Sequence, residues 1–485
     1  MNSKLSKIFE LIKKKQLNDA QRQCLQLLEK ENKNHELYNI YAIICYQLEE
    51  YETAIKNWKK SIELNPNYFF AYNNIGKAFL NLKKFDEALL NFNKTIDINP
   101  NYFEAYNNKG NVLTKLGKED DAIKNYDRAI EIKPDNIYSY IFKAHILSQV
   151  DRLDEALKSY ELAYKINSDF PLLLGYILNI KSKICEWENF EYYLKKLSQN
   201  LENGKKTSFP FTTLMLLDSP KLQKKASEMW SKGYELSVNK INNFSNINNE
   251  KIRIGYFTAD FRNHATSHLT AEMFELHDRS KFEIFAFYLG KKINGNDIWH
   301  ERIKKSFKKF FFVNEMSDLE ISQLAIDLKI DIAVDLMTHC NNGMDNRFGV
   351  FVRRCAPIQI NYLGYPGTSG SKNIDYIIGD KFVIPEESKK YYTEKVIYLP
   401  NSYQPNLKKA KTSNKKFTRK DLNLPIDKFV FCSFNQHQKI SPQIFNVWMN
   451  ILKKNPQSVL WLLEDNNSSK KNLVVEAKKK NIANE

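Results

Sequence analysis

The hydrophobic and polar positions in the first third of the chain repeat every 34 residues. Pro66, Pro100 and Pro134 each open or follow a similar phrase, as in NPNYFFAYNNIG, NPNYFEAYNNKG and KPDNIYSYIFKA. The same spacing recurs in five further series: Tyr38, Tyr72, Tyr106 and Tyr140; Ala42, Gly76, Gly110 and Ala144; Ala54, Ala88, Ala122 and Ala156; Trp58, Phe92, Tyr126 and Tyr160; Ser61, Thr95, Ala129 and Ala163. A fixed period of this length indicates an array of helix pairs.

Each repeat is expected to hold two short helices. Small residues would lie where the two helices cross closely, and aromatic residues would fill the space between repeats. The prolines end the second helices. Ile8 and Ala20 extend the phase backwards, so about four and a half copies are predicted over residues 4–168. The pattern resembles the tetratricopeptide repeat, which forms an α-solenoid.

A solenoid of this kind presents a concave surface to extended peptides. Asn74 and Asn108 lie one repeat apart on the predicted inner face of the first helix, and their amides could hold a peptide backbone. The alternative is that both are ordinary polar surface residues. Ile40 and Phe142 occupy the same slot in the flanking repeats, so any such ladder is short.

The periodicity changes beyond the repeats. Residues 169–248 still favour helices without a strict period and predict a helical bridge, and the polar stretch 239–251 predicts a linker. From residue 251 strand and helix patterns alternate. The strand-like runs are 251–260, 282–290, 331–337, 357–364, 375–380 and 395–400, and the amphipathic helices are 267–277 and 318–328. This order predicts a mostly parallel, doubly wound α/β sheet.

Polar and glycine-rich segments follow three of these strands: RNHATSH, THCNNG and GYPGTSG. Six of the 15 glycines fall within residues 343–379. Because ligands of doubly wound sheets bind outside the carboxyl ends of the strands, we expect the functional site there.

Composition narrows the classes of protein. The 485 residues are 42% hydrophobic and 27% charged, as in ordinary globular proteins. The net charge of +16 comes from 62 Lys and only 11 Arg spread along the chain, which favours a lysine-rich surface over the alternative of nucleic-acid binding. There is no apolar run long enough to span a membrane, no secretion signal and no Cys pair in CxxC spacing. We therefore predict a cytoplasmic protein without nucleic-acid or membrane partners.

Several segments resemble the protein O-linked N-acetylglucosamine transferases (glycosyltransferase family 41, SPINDLY-like). They are IGYFTADFRNHATSH, DLMTHCNNGMDNRFGVFVRRCAPIQINYLGYPGTSGSKNIDYIIGD and VFCSFNQHQKISPQIFNVWMNILKKNPQSVLWLL, with CEWENFE and SFPFTTL before them. The resemblance implies tetratricopeptide repeats (1–168), a helical bridge (169–248), the first Rossmann-like lobe of a GT-B glycosyltransferase (249–405) and a partial second lobe (406–485).

The resemblance implies transfer of N-acetylglucosamine from UDP to Ser or Thr hydroxyls of proteins, with inversion and without a metal or other cofactor. Acceptor proteins would bind the repeats. His264 matches the catalytic histidine, either as the base or as a group that orients sugar and acceptor, and His268 is predicted to be structural. Residues expected to bind the donor substrate are Leu363, Gly364, Pro366, Gly367, Thr368, His339, Gln436 and Lys439. The loop 363–368 could instead be a simple turn.

Residues 428–485 predict strand, helix, strand and helix. Two parallel strands cannot cover their own faces, so the second lobe is expected to be incomplete, from a truncated gene or an incomplete sequence. A shortened pseudo-enzyme is a further alternative. Two functions therefore remain open: a glycosyltransferase, and a non-catalytic repeat scaffold that binds peptides.

Overall fold

The computed structural model describes residues 3–235, 244, 249–293, 295–340, 347–408 and 414–482. The predicted linker at 239–251 lies outside them except for residues 244 and 249–251. The chain divides into two compact units, Met1–Ser168 and Asp169–Glu485.

The first unit is a tetratricopeptide-repeat array of five helix pairs, not the predicted four and a half. The helices are α1 (Ser3–Lys13), α2 (Leu17–Leu28), α3 (His35–Gln47), α4 (Tyr51–Leu64), α5 (Phe69–Asn81), α6 (Phe85–Ile98), α7 (Phe103–Lys115), α8 (Glu119–Ile132), α9 (Ile137–Gln149) and α10 (Leu153–Ile166). The first pair consists of two full helices, α1 and α2. Ile8 and Ala20 are buried in it, as Ala42 and Ala54 are at the same positions of the next repeat.

Small residues in these pairs allow an aromatic ring to be buried between the helices. A Cβ atom on Gly76 would lie 2.6 Å from the ring of Phe92, and one on Gly110 would lie 2.6 Å from the ring of Tyr126. Phe92 also clusters with Val112 of the next pair. The aromatic series therefore packs within its own repeat as well as between repeats, which the sequence analysis did not predict.

The first helix of every pair ends at a residue in the left-handed backbone region. These residues are also 34 positions apart: Lys15, Glu49, Lys83, Gly117 and Asp151. In each case the next amide donates to a carbonyl five residues earlier, as Lys84 N–H does to Phe79 O (2.8 Å). This is the Schellman ending of a helix, which turns the chain into the second helix.

The second unit begins with the predicted helical bridge. Its helices are α11 (Leu173–Lys183), α12 (Phe190–Glu202), α13 (Pro210–Leu216) and α14 (Pro220–Glu235). Gly175 of α11 lies so close to Ser208 that a Cβ atom would be 2.8 Å from the Ser208 Cα atom. The bridge is therefore tightly packed rather than a loose connection.

A parallel sheet of seven strands follows. Its elements are β1 (Ile252–Thr258), α15 (Ala265–Glu275), β2 (Phe282–Tyr288), α16 (Ile298–Lys305), β3 (Lys309–Phe312), α17 (Asp318–Asp327), β4 (Ile332–Asp335), α18 (Phe348–Val352), β5 (Ile358–Tyr362), β6 (Tyr376–Gly379) and β7 (Lys395–Tyr398). The strand order is β3-β2-β1-β4-β5-β6-β7. Strand β3 was not predicted, because this short edge strand lacks an alternating pattern.

Helices cover both faces of this sheet, as expected for a doubly wound fold. Phe257 of β1 belongs to the core on one face, with Ile321 of α17 and Phe351 of α18. Its neighbour Tyr256 belongs to the core on the other face, with Phe274 of α15. The alternation along β1 thus supplies both cores.

The second lobe consists of β8 (Phe429–Ser433), α19 (Pro442–Lys454), β9 (Ser458–Leu462) and α20 (Asn467–Lys479). Its two strands are parallel, as predicted. The turn after α11 packs against this lobe, since Cys185 shares a buried cluster with Phe445 and Leu473. Asn472 also donates its amide to Ile184 O (2.9 Å). The bridge therefore supplies apolar cover that two strands alone lack.

None of the helices in the described ranges is long and apolar enough to cross a membrane.

Candidate active site

The candidate site lies where the strand order of the large sheet reverses. The chain runs outwards from β1 through β2 to β3 and then returns to β4 on the other side of β1. The carboxyl ends of β1, β4 and β5 are neighbours there, and the segments RNHATSH, THC and GYPGTSG follow them. Residues 341–346, which continue the second segment, lie outside the described residues. Such a reversal is the usual ligand crevice of open α/β sheets.

Hydrogen bonds join the three segments that follow β1, β4 and β5. The Ala259 N–H donates to Met337 Sδ at 3.0 Å, and the Cys340 thiol donates to Gly364 O at 2.8 Å. Burial, with the carboxylates of Asp335 and Asp260 nearby, raises the pKa of the Cys340 thiol. Cys340 is therefore a neutral packing residue that fastens the loop after β5 to the end of β4.

His264 is the residue that precedes α15 and caps its first turn. Its Nδ1 atom accepts a hydrogen bond from the Thr266 N–H at 3.3 Å, and Asp260 Oδ2 lies 3.6 Å from the same atom. Burial lowers the pKa of His264 below its usual value, Asp260 opposes this shift, and Arg262 and His268 add to it. The side chain is 38% exposed, so a neutral imidazole is open to a ligand.

His268 supports this segment rather than facing a ligand. Its ring stacks on Trp299 with centroids 4.2 Å apart, and its Nε2 atom lies 2.8 Å from Asn263 Oδ1. The Asn263 N–H in turn donates to Asp297 Oδ2 at 2.6 Å. These contacts hold the loop between β1 and α15 against the start of α16, in agreement with a structural role.

The loop after β5 depends on close backbone approach. Leu363 has a φ of +71°, a conformation that costs a branched residue energy. At Gly364 a Cβ atom would lie 2.1 Å from Leu336 O, so no side chain fits. Gly370 has a φ of +70°, and its Cβ atom would lie 2.3 Å from the Glu228 N atom of α14. The conformation of the loop is therefore fixed by close packing against β4 and α14, which distinguishes it from a simple surface turn.

Thr368 was expected to bind substrate, but its hydroxyl is fully used within the protein. It donates to Glu394 Oε2 (2.6 Å) and accepts from the N–H groups of Gly370 (3.2 Å) and Thr393 (3.1 Å). A hydroxyl offers one donor and two acceptor positions, so none is left for a ligand. Thr368 thus anchors the loop to the buried carboxylate of Glu394, which sequence analysis missed.

The other loop residues are also held from behind. The Asn361 amide donates to Gly367 O at 3.1 Å, and the Tyr392 hydroxyl donates to Pro366 O at 3.1 Å. Gly367 itself packs on the ring of Tyr365, which a Cβ atom at Gly367 would approach to 2.8 Å. The carbonyl groups of Gly367 and Pro366 are therefore satisfied by neighbouring side chains.

His339 was expected to line the sugar pocket, and the structure places its ring in the core behind the loop after β5. The side chain is only 1% exposed, and its Nε2 atom lies 2.7 Å from Ser369 O, to which it donates. Burial lowers the pKa of His339 to about 4. His339 is therefore a neutral core residue behind the loop, and the sequence pattern located its strand end but not its burial.

Gln436 and Lys439 lie at the end of β8 in the second lobe, and both are exposed. Between them His437 is buried and hydrogen-bonded to Ser469 Oγ of α20. This bond fixes the turn that carries the two exposed side chains. Among the described residues no hydrogen bond or ion pair joins Gln436 or Lys439 to His264 or to the loop after β5.

The two asparagines predicted to bind peptide are both half-buried. The Asn108 amide donates to Asn73 Oδ1 of the preceding repeat at 3.0 Å. Asn73 belongs to a buried series that the sequence analysis missed, although the period of 34 was available to find it: Asn39, Asn73 and Asn107. Asn39 accepts from the Trp58 indole at 3.0 Å. The amides of this series hold the repeats together.

Within the ranges that the structure describes, no group of three or more His, Cys, Asp or Glu side chains is placed to hold a metal ion. Independence from a metal stays a prediction.

Comparisons with known proteins agree with this architecture. The model of the family described as "Glycosyl transferase family 41" matches residues 184–406 and 406–485. Tetratricopeptide-repeat models match residues 44–83, 69–102, 103–136 and 137–170. An O-GlcNAc transferase mutant from Thermobaculum terrenum superimposes with a TM-score of 0.54 at 18% identity, covering 86% of this chain and 72% of that chain. This likeness concerns the fold alone.

Two curated relatives carry names of the same kind. The probable UDP-N-acetylglucosamine–peptide N-acetylglucosaminyltransferase SEC of Arabidopsis thaliana is 39% identical over 219 residues, which are 44% of this chain and 22% of the relative. The UDP-N-acetylglucosamine–peptide N-acetylglucosaminyltransferase of Caenorhabditis elegans is 25% identical over 407 residues, 58% of this chain and 35% of the relative. The matched part thus spans about a fifth to a third of these relatives. Because the family model covers more than half of the sequence, the chain belongs to glycosyl transferase family 41.

Proposed function

We propose that this chain carries the transfer site of an inverting glycosyltransferase that moves N-acetylglucosamine from UDP-GlcNAc to Ser or Thr hydroxyls of proteins. The observation that carries the proposal is that the neutral His264 and the tightly held loop after β5 follow strands β1 and β5 at the same carboxyl edge, where the strand order reverses. The names of the relatives supply the donor sugar and the peptide acceptor.

Each part of the site has a role in this proposal. The loop at Leu363, Gly364 and Gly367 lets the backbone approach the sugar, since side chains are excluded at Gly364. Pro366 limits the flexibility of this loop. Gln436 and Lys439 contact the uridine diphosphate, and the Lys439 ammonium offsets the charge of the departing pyrophosphate as a point charge.

The repeats are proposed to bind the acceptor protein. A groove of about 600 Å³ is lined by residues of three successive first helices, among them Asn81, Asn111 and Phe142. An extended segment would cross these repeats, and Asn74 is the predicted ladder residue whose side chain keeps its amide for a partner, as far as the described residues show. The competing function, a non-catalytic peptide scaffold, uses the same groove. A cytoplasmic location and the absence of nucleic-acid or membrane partners stay predictions.

The test is to measure UDP-GlcNAc binding, its hydrolysis and transfer to protein with the full chain. His264→Ala and Lys439→Ala are each expected to lower turnover by about 10²-fold, because in this proposal each removes a group that acts on the bond to be broken. Lys454→Ala, an exposed lysine at the end of α19, is the matched control and is expected to match the unaltered chain. Peptide binding without any UDP-GlcNAc binding would favour the scaffold.

A further inference from the structure

The position of His264 at the start of α15 determines which of its ring nitrogens carries the proton. The Nδ1 atom lies 3.3 Å from the Thr266 amide nitrogen with the N–H directed at it. A backbone amide can only donate a hydrogen bond, so Nδ1 must offer its lone pair. In a neutral imidazole the single proton is then on Nε2.

The charges around the ring decide whether it stays neutral. The N–H groups at the start of an 11-residue helix carry partial positive charge, which disfavours an imidazolium. Arg262 acts in the same direction, whereas Asp260 Oδ2, 3.6 Å from Nδ1, favours the charged ring. The balance favours the neutral ring, since burial and the positive neighbours together lower the pKa of His264.

We propose that His264 acts as a neutral hydrogen-bond donor, through its Nε2–H, to an oxygen of the nucleotide-sugar donor, and not as the general base. This inference rests on the proposed function. A base needs a free lone pair toward the acceptor hydroxyl, but the Nδ1 lone pair is engaged by the helix and Nε2 already carries a proton. A donor placed at a developing negative charge stabilises the transition state.

The transfer then balances as follows. The acceptor hydroxyl oxygen forms a bond to the anomeric carbon, and the bond between that carbon and the phosphate oxygen breaks. Its electron pair leaves with the UDP oxygen, where the Nε2–H donates. The proton of the acceptor hydroxyl passes to water and from there to the solvent, and His264 has the same protonation state before and after the step.

The tautomer can be measured without any activity. Histidine labelled with ¹⁵N in the full chain gives long-range ¹H–¹⁵N correlations that separate the Nε2–H tautomer, the Nδ1–H tautomer and the imidazolium. The signals of His264 are those absent from His264→Gln. We expect the Nε2–H tautomer at pH 7.5. An Nδ1–H ring or an imidazolium at that pH would overturn the inference.

Two substitutions separate a donor from a base. Gln at position 264 places an amide N–H near the Nε2 position, whereas Asn keeps an oxygen near the Nδ1 position and caps the helix without a donor further out. Neither amide can act as a base. We expect kcat/KM for His264→Gln to exceed that for His264→Asn by about tenfold or more. Equal losses in both variants would overturn the donor role.

Controls separate this inference from the proposed function. Lys454→Ala, which changes the exposed lysine at the end of α19, is expected to keep both the His264 tautomer and turnover. Thermal unfolding of all variants shows whether a loss of activity reflects a loss of fold. If the unaltered chain neither binds nor hydrolyses UDP-GlcNAc, the proposed function fails, and the ¹⁵N measurement still decides whether His264 is the Nε2–H tautomer.

Discussion

The repeat unit and the carboxyl edge of the large sheet use unusual backbone in opposite ways. In the repeats, the left-handed residues such as Glu49 and Lys83 are exposed, and each ends a helix by itself. At the carboxyl edge of the large sheet, Leu363 and Thr338 have φ values of +71° and +48°, and the two residues are only 9% and 1% exposed. The Thr338 hydroxyl donates to Asn361 at 2.8 Å.

This difference separates local strain from strain that distant residues hold in place. A residue at an exposed helix end can change without disturbing any neighbour, so its energy is additive. A strained residue at the sheet edge is fixed by groups on other strands and helices, and such strain is a mark of functional sites. The comparison therefore predicts that equivalent substitutions have unequal effects in the two regions.

The largest effect is expected at Gly370 in the loop after β5. In Gly370→Ala the new methyl group meets backbone atoms of Ser227 and Glu228 at 2.3–2.4 Å and also sits at a φ of +70°. Overpacking against backbone and left-handed strain together are expected to lower the free energy of unfolding by roughly 3 kcal/mol. Urea unfolding gives the change, and hydrogen exchange locates it.

Hydrogen exchange is expected to rise in residues 363–371 and in α14, while the repeats stay unchanged. Gly204→Ala is the matched control, because Gly204 has a φ of +71° but no atom within 4 Å of its Cβ position. It carries the backbone strain without the clash. Equal losses for the two variants would contradict the claim that contacts between elements hold the loop.

Acid is expected to affect both units, because each holds a histidine whose pKa is strongly lowered by burial. Burial lowers the pKa of His145 in the repeats and of His339 behind the loop to about 4. At a pH below the usual pKa of 6.5, each histidine of the unfolded chain binds a proton that the folded chain does not bind. The free energy of unfolding therefore decreases as the pH is lowered. The loss at pH 5 is about 2 kcal/mol for each site.

Urea unfolding at pH 7.5 and pH 5.0 measures this loss. His145→Gln is expected to reduce the pH dependence of the repeats, and His339→Gln that of the sheet unit, while each leaves the other unit unchanged. If replacing its histidine left the pH dependence of a unit unchanged, the assignment of that histidine would be contradicted.

The two regions also differ in how much of their structure could be predicted from the sequence. The period of 34 located the helices of the repeats because their packing recurs, as the Gly76 and Phe92 contact shows. At the sheet edge the pattern located His339 and Thr368 after the right strands. Their roles could not be read from it, because their partners Ser369 and Glu394 lie 30 and 26 residues further along the chain.

A moderate effect is expected where a methyl group meets a side chain instead of backbone. In Gly76→Ala the new atom lies 2.6 Å from the ring of Phe92 and forces the ring to move. We expect a loss of about 1–2 kcal/mol in the stability of the repeats, because such overpacking is partly relieved by repacking. Thermal unfolding followed by circular dichroism measures this change.

The double variant Gly76→Ala with Phe92→Leu tests the cause. A smaller side chain at position 92 should remove part of the clash, so the double variant is expected to lose less than the sum of the two single changes. Strict additivity of the two losses would show that the small and aromatic series are not coupled.

The smallest effect, a gain, is expected at an exposed helix end. Lys83 adopts a φ of +58° at the position where the next repeat has Gly117. Lys83→Gly removes left-handed strain of about 1–2 kcal/mol but adds about 0.5–1 kcal/mol of backbone entropy in the unfolded chain, which leaves a gain of about 0.5–1 kcal/mol. Gly117→Lys should lose the same amount, since a Cβ atom there meets only Glu119 Oε1 at 3.8 Å. The control Lys83→Ala removes the charge of the side chain and keeps the left-handed strain. The stability of this variant should remain near that of the unaltered chain. Opposite shifts of melting temperature for the reciprocal pair would confirm that this strain is local, whereas a loss in Lys83→Gly would place the repeats in the same class as the sheet edge.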